Sequence, residues 1–342
     1  MSASLHRLSR MMGERMLMKR TLEESHKGIA LLIVLWVMTI LIVTVFSFSL
    51  LTRADTYGTA AFKDSMEKQY LAEAGIERGI AEIIYRSIND NQTVILEGRE
   101  VWKTDGSSYS GRIGKGAYMV RIFDEAGKIS LNSLTDASGM ILKNLLVNLG
   151  APPEDAETIV DSILDWKDDD NLHRLYGAED DYYLSLKNPY KARNAAFETL
   201  EELLRVKGVT PDILFGTDKK KGVIPFLTII SRTNLINIIV APREVLAALP
   251  GVSAEMADQI VAVRGVEEIK GMEDVMDIIG RASSLTAPYV SGQTGASMVY
   301  TIEGYGYKDL EKRSYPIRAT VAMEGPSRYR YLYYRSPAEV MP

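Results

Sequence analysis

The chain has no cysteine, so no disulfide can staple it and no thiolate can serve as nucleophile or metal ligand. Disulfides are permitted but not required in oxidising compartments, so this absence does not place the chain. Histidine is nearly missing too: of three, His6 and His26 lie near the N-terminus, which leaves His173 alone in the body of the chain. No Gly-x-Ser-x-Gly segment occurs, and nothing marks a nucleophile with its base. These gaps argue against an enzyme. Positive charge is not in excess either. A net charge of −5 and a pI near 5.5 remove any general affinity for nucleic acid.

Charge is wholly absent from residues 29 to 51, where only Thr39, Thr44, Ser47 and Ser49 interrupt aliphatic and aromatic residues. That run exceeds the about 20 residues a helix needs to cross a bilayer. Arg7, Arg10, Arg15, Lys19, Arg20, His26 and Lys27 precede it. By the positive-inside rule residues 1–28 are cytoplasmic and everything after Leu51 lies across the membrane. In a secretory signal a small-residue cleavage site follows a shorter apolar stretch. Here Gly28 lies before the run, so a cut after Gly28 would remove a basic leader and leave Ile29 at the head of the hydrophobic helix. Met11, Met12 and Met18 are alternative starts within that leader.

The 342 residues allow two folded modules beyond the span. One long helix is expected from Ile29 to about Ile88, apolar all round at first and amphipathic later. Leu71, Ala74, Ile76, Ile80, Ile83 and Ile84 are its core candidates, and Asn89-Asp90-Asn91 its stop. A weak strand is expected at 94–96 and a clearly alternating one at 117–123. Helical pattern fills about 132–284. Strands return at 298–307, 314–323 and 329–335, rich in Tyr, Val and Ile. The Gly111-Arg-Ile-Gly114-Lys-Gly116 stretch lacks phosphate-loop spacing and reads as a turn.

Helix, strands, helical block, strands is the order expected of an α+β domain with a large α-helical domain inserted into its sheet region. The parts are 1–28, the leader; 29–51, the transmembrane part of the helix; 52–131, the rest of the helix and the first strands; 132–284, the insertion; and 285–342, the final strands. Inside the insertion a diffuse repeat is visible. Ile129-Ser-Leu-Asn132, 142–150, 156–163 and 197–208 correspond to Ile236-Asn-Ile238, 245–253, 257–264 and 272–280. Each copy reads helix, Gly-containing turn, helix, the helix-hairpin-helix pattern. Such units can hold phosphate on backbone amides, but Ser253, Glu255 and Asp258 at one turn and Pro152, Pro153, Glu154 and Asp155 at the other weigh against it. Lys219-Lys220-Lys221 reads as a solvated linker, and alternating Tyr329, Tyr331, Tyr333 and Tyr334 as strand packing.

The densest chemistry is acidic: Asp165-Trp166-Lys167-Asp168-Asp169-Asp170-Asn171, then Gly177-Ala178-Glu179-Asp180-Asp181-Tyr182-Tyr183. Carboxylates so crowded repel one another unless solvated or bridged by a hard cation such as calcium. The spacing does not fit an EF-hand loop. On these residues alone a solvated loop and a cation site stand level. Asp168, Asp170, Glu179, Asp180 and Asp181 are the candidate ligands, with Asp165 set aside as a residue that caps or ends the helix before it.

The Gly28–Ile29 junction, the uninterrupted apolar helix and the continuation Leu71-Ala72-Glu73-Ala74-Gly75-Ile76-Glu77-Arg78 resemble the type IV pilin class. At the fifth position after the cut stands Ile33, where most pilins and pseudopilins carry glutamate. With the helical block and the acidic loop, the chain is similar to the type II secretion minor pseudopilin K family. That resemblance implies a pilin-like antiparallel sheet, a prepilin peptidase that processes at Gly28 and Ile29 with methylation of the new amine, and calcium at the acidic loop. It also implies a place at the pseudopilus tip, capping or initiating the fibre that drives protein export, beside minor pseudopilins of the I, J and H types. Anchorage is expected in the inner membrane, with the bulk in the periplasm and contact with secreted proteins but not nucleic acid. A minor pilin of a type IV pilus and a membrane-anchored helix-hairpin-helix DNA-binding module are the alternatives.

Overall fold

The computed structural model describes residues 2–88, 102–231, 233–266, 271–292, 298–308 and 313–338, with side chains from Ala30 onward apart from 265 and 266. The cluster expected to stop the first helix and the weak strand at 94–96 lie outside the described residues. Gly28 and Ile29 are helical residues whose side chains are likewise outside them.

Helix α1 (Ser2–Ile88) is continuous. Residues 1–66 form one unit, and by length and composition the apolar part of its helix suffices to cross a membrane. Every side chain from 30 to 63 is exposed, including Leu31, Trp36, Phe46 and Phe48. Helical backbone satisfies its own polar groups, so such a surface is stable in lipid and costly in water.

The second unit runs from Glu67 to Pro342. Five antiparallel strands make its sheet: β1 (Asp105–Ile113), β2 (Gly116–Asp124), β3 (Val299–Tyr307), β4 (Tyr315–Met323) and β5 (Tyr329–Arg335), side by side in chain order. The last turns of α1 lie on one face, burying Ala72, Ile76, Ile80 and Ile83 against Val120, Ile122, Ile302, Ile317, Ala319 and Val321. Leu71, Ala74 and Ile84 are only half-buried; the buried stripe is Ala72 and the isoleucines at four- and three-residue steps after it. Gly304 and Gly306 on β3 permit this approach. A Cβ at Gly306 would stand 1.8 Å from the Lys68 carbonyl oxygen, and one at Gly304 2.6 Å from that of Ala72. On the opposite face Arg121, Glu303 and Arg318 share one row across β2, β3 and β4.

The expected turn at 111–116 is only half a turn. Gly114 and Lys115 form it, Gly114 at φ +59, while Gly111 to Ile113 belong to β1 and pair with β2. Edge position explains the difference: this strand needs one ladder and almost no burial.

Between β2 and β3 lies the helical body, with its own core running from Ile129 to Val290. A parallel two-residue bridge, Ile129–Ser130 to Leu227–Thr228, introduces the hairpin of α2 (Asp136–Asn148) and α3 (Pro153–Lys167). A second parallel bridge, Ile236–Asn237 to Val290–Ser291, frames α6 (Arg243–Leu246), α7 (Ala254–Val266) and α8 (Met272–Ile279). Between the two sets lie α4 (Asp180–Leu184) and α5 (Pro211–Phe215). The copies share left-handed glycines at matching turns, Gly150 (φ +95) and Gly251 (φ +83). Asn144 and Asn148 of α2 donate to the carbonyls of Ala248 and Ala247, which ties copy to copy. Residues 197–208 hold a 3₁₀ turn, Leu200–Arg205, in place of a helix. The lysine triplet is a hairpin strap, not a free linker: Lys220 donates to the Gly150 carbonyl and Lys221 pairs with Glu244 at 2.6 Å.

Candidate functional site

Helix α3 carries the site at its C-terminal end. Ala156, Ile159, Val160, Ile163 and Leu164 hold one face in the core, and the same burial draws in Asp165 and Trp166 of the last turn. Trp166 donates from Nε1 to Glu202 (2.9 Å) and meets Tyr183 and Tyr190 edge-on. At Asp168 the backbone turns extended and the helix stops. The chain then loops outward and returns at Gly177, where a Cβ would stand 1.7 Å from Asp165 Oδ2. Only a glycine lets the loop close on that carboxylate.

Arg174 organises the interior of the loop. It donates to Asp136 Oδ1 (2.8 Å), Asp165 Oδ1 (2.7 Å) and Asp168 Oδ2 (2.8 Å), and these carboxylates hold its guanidinium firmly protonated. Asp165 is fully buried and also accepts the backbone N–H of Arg174. Burial pushes its carboxyl upward against the pull of Arg174.

Three of the five candidate ligands converge. One oxygen each from Asp168, Asp170 and Glu179 lies within 4.8 Å of the others. Glu179 sits immediately before α4 in extended conformation and does not cap it, so its carboxylate is unspent. It is 1% exposed, and neither Oε1 nor Oε2 has a hydrogen-bond partner; Asp168 Oδ1 is buried and equally unpartnered. Burial, then the charges of Asp165, Asp168, Asp170 and Asp180, push the Glu179 carboxyl up to about 7. Three buried carboxylate oxygens without partners would be a costly defect in a helical body unless a cation satisfied them.

Asp180 and Asp181 are not brought into this group. Asp180 accepts from the backbone N–H of Ala192 (3.0 Å) and pairs with Lys191 (3.1 Å), while exposed Asp181 accepts from the N–H of Tyr182. Donors from the segment after α4 hold Asp180 and the first turn of α4 holds Asp181, which turns both carboxylates away. Sequence reasoning missed Asn194. It adopts φ +48, takes the Trp166 carbonyl with its N–H and the Asp170 carbonyl with Nδ2, and leaves Oδ1 buried without a partner. Nothing but its Asn identity, tolerant of left-handed backbone, could have marked it. The residues fit a hard divalent ion: carboxylate and amide oxygens with no nitrogen or sulfur, in a rigid loop.

An apolar N-terminal helix whose last turns lie on an antiparallel sheet is the framework of a pilin-like protein, here interrupted by a helical body with an acidic loop. Comparison with known proteins narrows the class. The family model for protein K of the type II secretion system matches residues 127–216, the first bridge through α5. The type II secretion system protein K of Pseudomonas aeruginosa is 27% identical over 282 residues, 78% of this chain and 80% of that one. A protein K relative in Escherichia coli K12 is 24% identical over 63% of this chain, and the match spans 65% of the relative's length. The chain shares its fold with a chain of the crystallised GspK–GspI–GspJ complex of enterotoxigenic Escherichia coli, with TM-score 0.59 at 17% identity over 83% of this chain and all of that one. The chain is thus similar to protein K of the type II secretion system, by the family model over residues 127–216 and by relatives along most of its length.

Proposed function

We propose that this protein is a non-enzymatic minor pseudopilin at the tip of a type II secretion pseudopilus, where it caps or initiates the fibre. The observation that carries this reading is the helical body seated between β2 and β3: a subunit stacked over it would have to displace a whole core. The chemistry at Ile33 supports it. A fibre subunit with a neighbour above needs an acid near the start of its helix to pair with the buried amine of that neighbour. A terminal subunit has no such amine to neutralise. Processing after Gly28 leaves Ile29 as the new N-terminus, held with its apolar helix in the inner membrane until assembly, with the rest in the periplasm. By analogy with the complex of its structural relative, its partners are pseudopilins of the I and J types. Asp168, Asp170 and Glu179, with Asn194 alongside, hold a calcium ion that supplies positive charge to the loop and no chemistry of its own.

The test is expression of the full chain in cells that carry the secretion apparatus and its prepilin peptidase but lack their own protein K. The expected result is a mature chain beginning at Ile29, co-purified I- and J-type subunits and restored export, all lost in Gly28→Ala. An unprocessed chain, or a processed one that joins no other pseudopilin, would overturn the proposal.

A further inference from the structure

The loop that closes the acidic site also projects two leucines into solvent, and nothing in the fold or in the cation site uses them. Leu172 is 79% exposed and Leu175 81%, more than any other large apolar side chain among the described residues, the apolar part of α1 included; Tyr176 beside them is 47% exposed. A loose loop would fold such residues inward. This one is pinned: the N–H groups of Leu172, Arg174 and Tyr176 donate to Asp170 (2.8 Å), Asp165 (3.1 Å) and Asp161 (3.1 Å). The carboxylates therefore hold the backbone of an apolar prong in an outward pose, so its ordering cost is met before any partner arrives.

We propose that Leu172 and Leu175 form a docking prong for a protein partner that presents an apolar pocket rimmed by lysine and arginine. Charge selects that partner. Asp161 and Asp170 hold the prong's backbone and Asp169 adjoins it; against this collar of three acids stands Lys207, on the Tyr176 and Gly177 carbonyls, while Arg174 is spent on Asp136, Asp165 and Asp168. With Asp136, Asp165, Asp168 and Glu179 counted beside the collar, the loop stays net negative against Arg174, Lys207 and one divalent ion, so an anionic lipid surface would be repelled and a cationic rim steered onto it. The proposal goes beyond the tip position argued above and does not depend on it.

The test places the photo-cross-linking residue benzoyl-phenylalanine at position 172 or 175 of the full chain, in cells with the assembled apparatus, and at exposed Leu285 as control. Adducts from 172 and 175 should map to one protein, at apolar residues flanked by Lys or Arg, and be absent from the 285 control. With the cross-linker at 172, Leu175→Asp should cut the yield about tenfold, the loss of one buried anchor. Asp169→Lys should lower it as well, through the collar charge. Both substituted side chains are exposed, so an unchanged thermal melt accompanies each loss. Adducts to phospholipid, the same products from 172 and 285, no protein adduct, or a yield indifferent to both substitutions would each overturn the prong.

Discussion

Glu179 carries the most quantitative prediction. Its carboxyl titrates near 7 in the ion-free fold, against 4.5 in the unfolded chain. Between those values the native state keeps a proton that the unfolded state has released, so stability falls as pH rises through that window. At 1.36 kcal/mol per unit, the shift corresponds to roughly 3 kcal/mol across the window. For a unit of this size that is a fall in Tm of roughly 6–12 °C. A bound cation inverts the slope, because the ligand form is the deprotonated one. At calcium a hundredfold above its Kd the gain is about 2.7 kcal/mol. The assay is thermal unfolding of the full chain in mild detergent from pH 4.5 to 8, with chelator and with calcium. The parent should lose stability with rising pH in chelator and regain it with calcium, while Glu179→Gln should show a shallower fall, the part left to Asp165, and a much smaller calcium response. Equal slopes for parent and Glu179→Gln in chelator would refute the argument, since the burial of this carboxylate would then have no energetic consequence.

Arg174→Met should cost about 3–5 kcal/mol in urea unfolding, because it strands fully buried Asp165 without its cation; a second change, Asp165→Leu, should recover much of that loss. Gly306→Ala should cost about 3 kcal/mol or more, the top of the usual overpacking range, since the colliding atom is backbone and cannot rotate away; near-parent denaturation would show that α1 is not seated on β3 as described. Thr135 and Ser138 form a reciprocal capping box at the start of α2, so Thr135→Ala should lower stability by about 1 kcal/mol by the same measurement.

What was legible in the sequence was what burial imposes locally. Alternation along β2, β3 and β4 marked strands because one face of each meets α1 or its neighbours' side chains. Strand β1 escaped because its Gly, Ser and Arg residues bury almost nothing, and its only obligation is the backbone ladder to β2. The acidic loop was legible as a cluster but not as a geometry. Which carboxylates face inward depends on donors far along the chain: Ala192 and Lys191 draw Asp180 away, and Arg174 takes Asp165 and half of Asp168. Asn194 enters through hydrogen bonds to residues 24 and more positions earlier, a relation no spacing rule contains. The repeat was legible in outline because left-handed glycines and helix–turn–helix patterning recur at fixed offsets. Its second half departs most, with α6 reduced to one turn.

A small sheet tolerates so large an insertion because of where the chain leaves and re-enters it. Asp124 at the end of β2 pairs directly with Tyr300 at the start of β3, so residues 125–298 amount to the loop of one hairpin. Closing a loop costs only logarithmically more as it lengthens, and this one offsets the cost with a core of its own that shares no residue with the core under α1. Two cores joined only by adjacent strand ends could swivel. The polar contacts around Arg264 oppose that. Its guanidinium, 7% exposed, donates to the carbonyls of Ile239 (3.0 Å) and Ala241 (2.8 Å), while its own carbonyl accepts from Lys103, two residues before β1. One residue of α7 thus binds the second repeat internally and reaches the sheet side through its backbone. Both bonds leave from the single nitrogen Nη1 while Nε is buried without a partner, so this contact holds the two carbonyls together at a site where burial disfavours the charge.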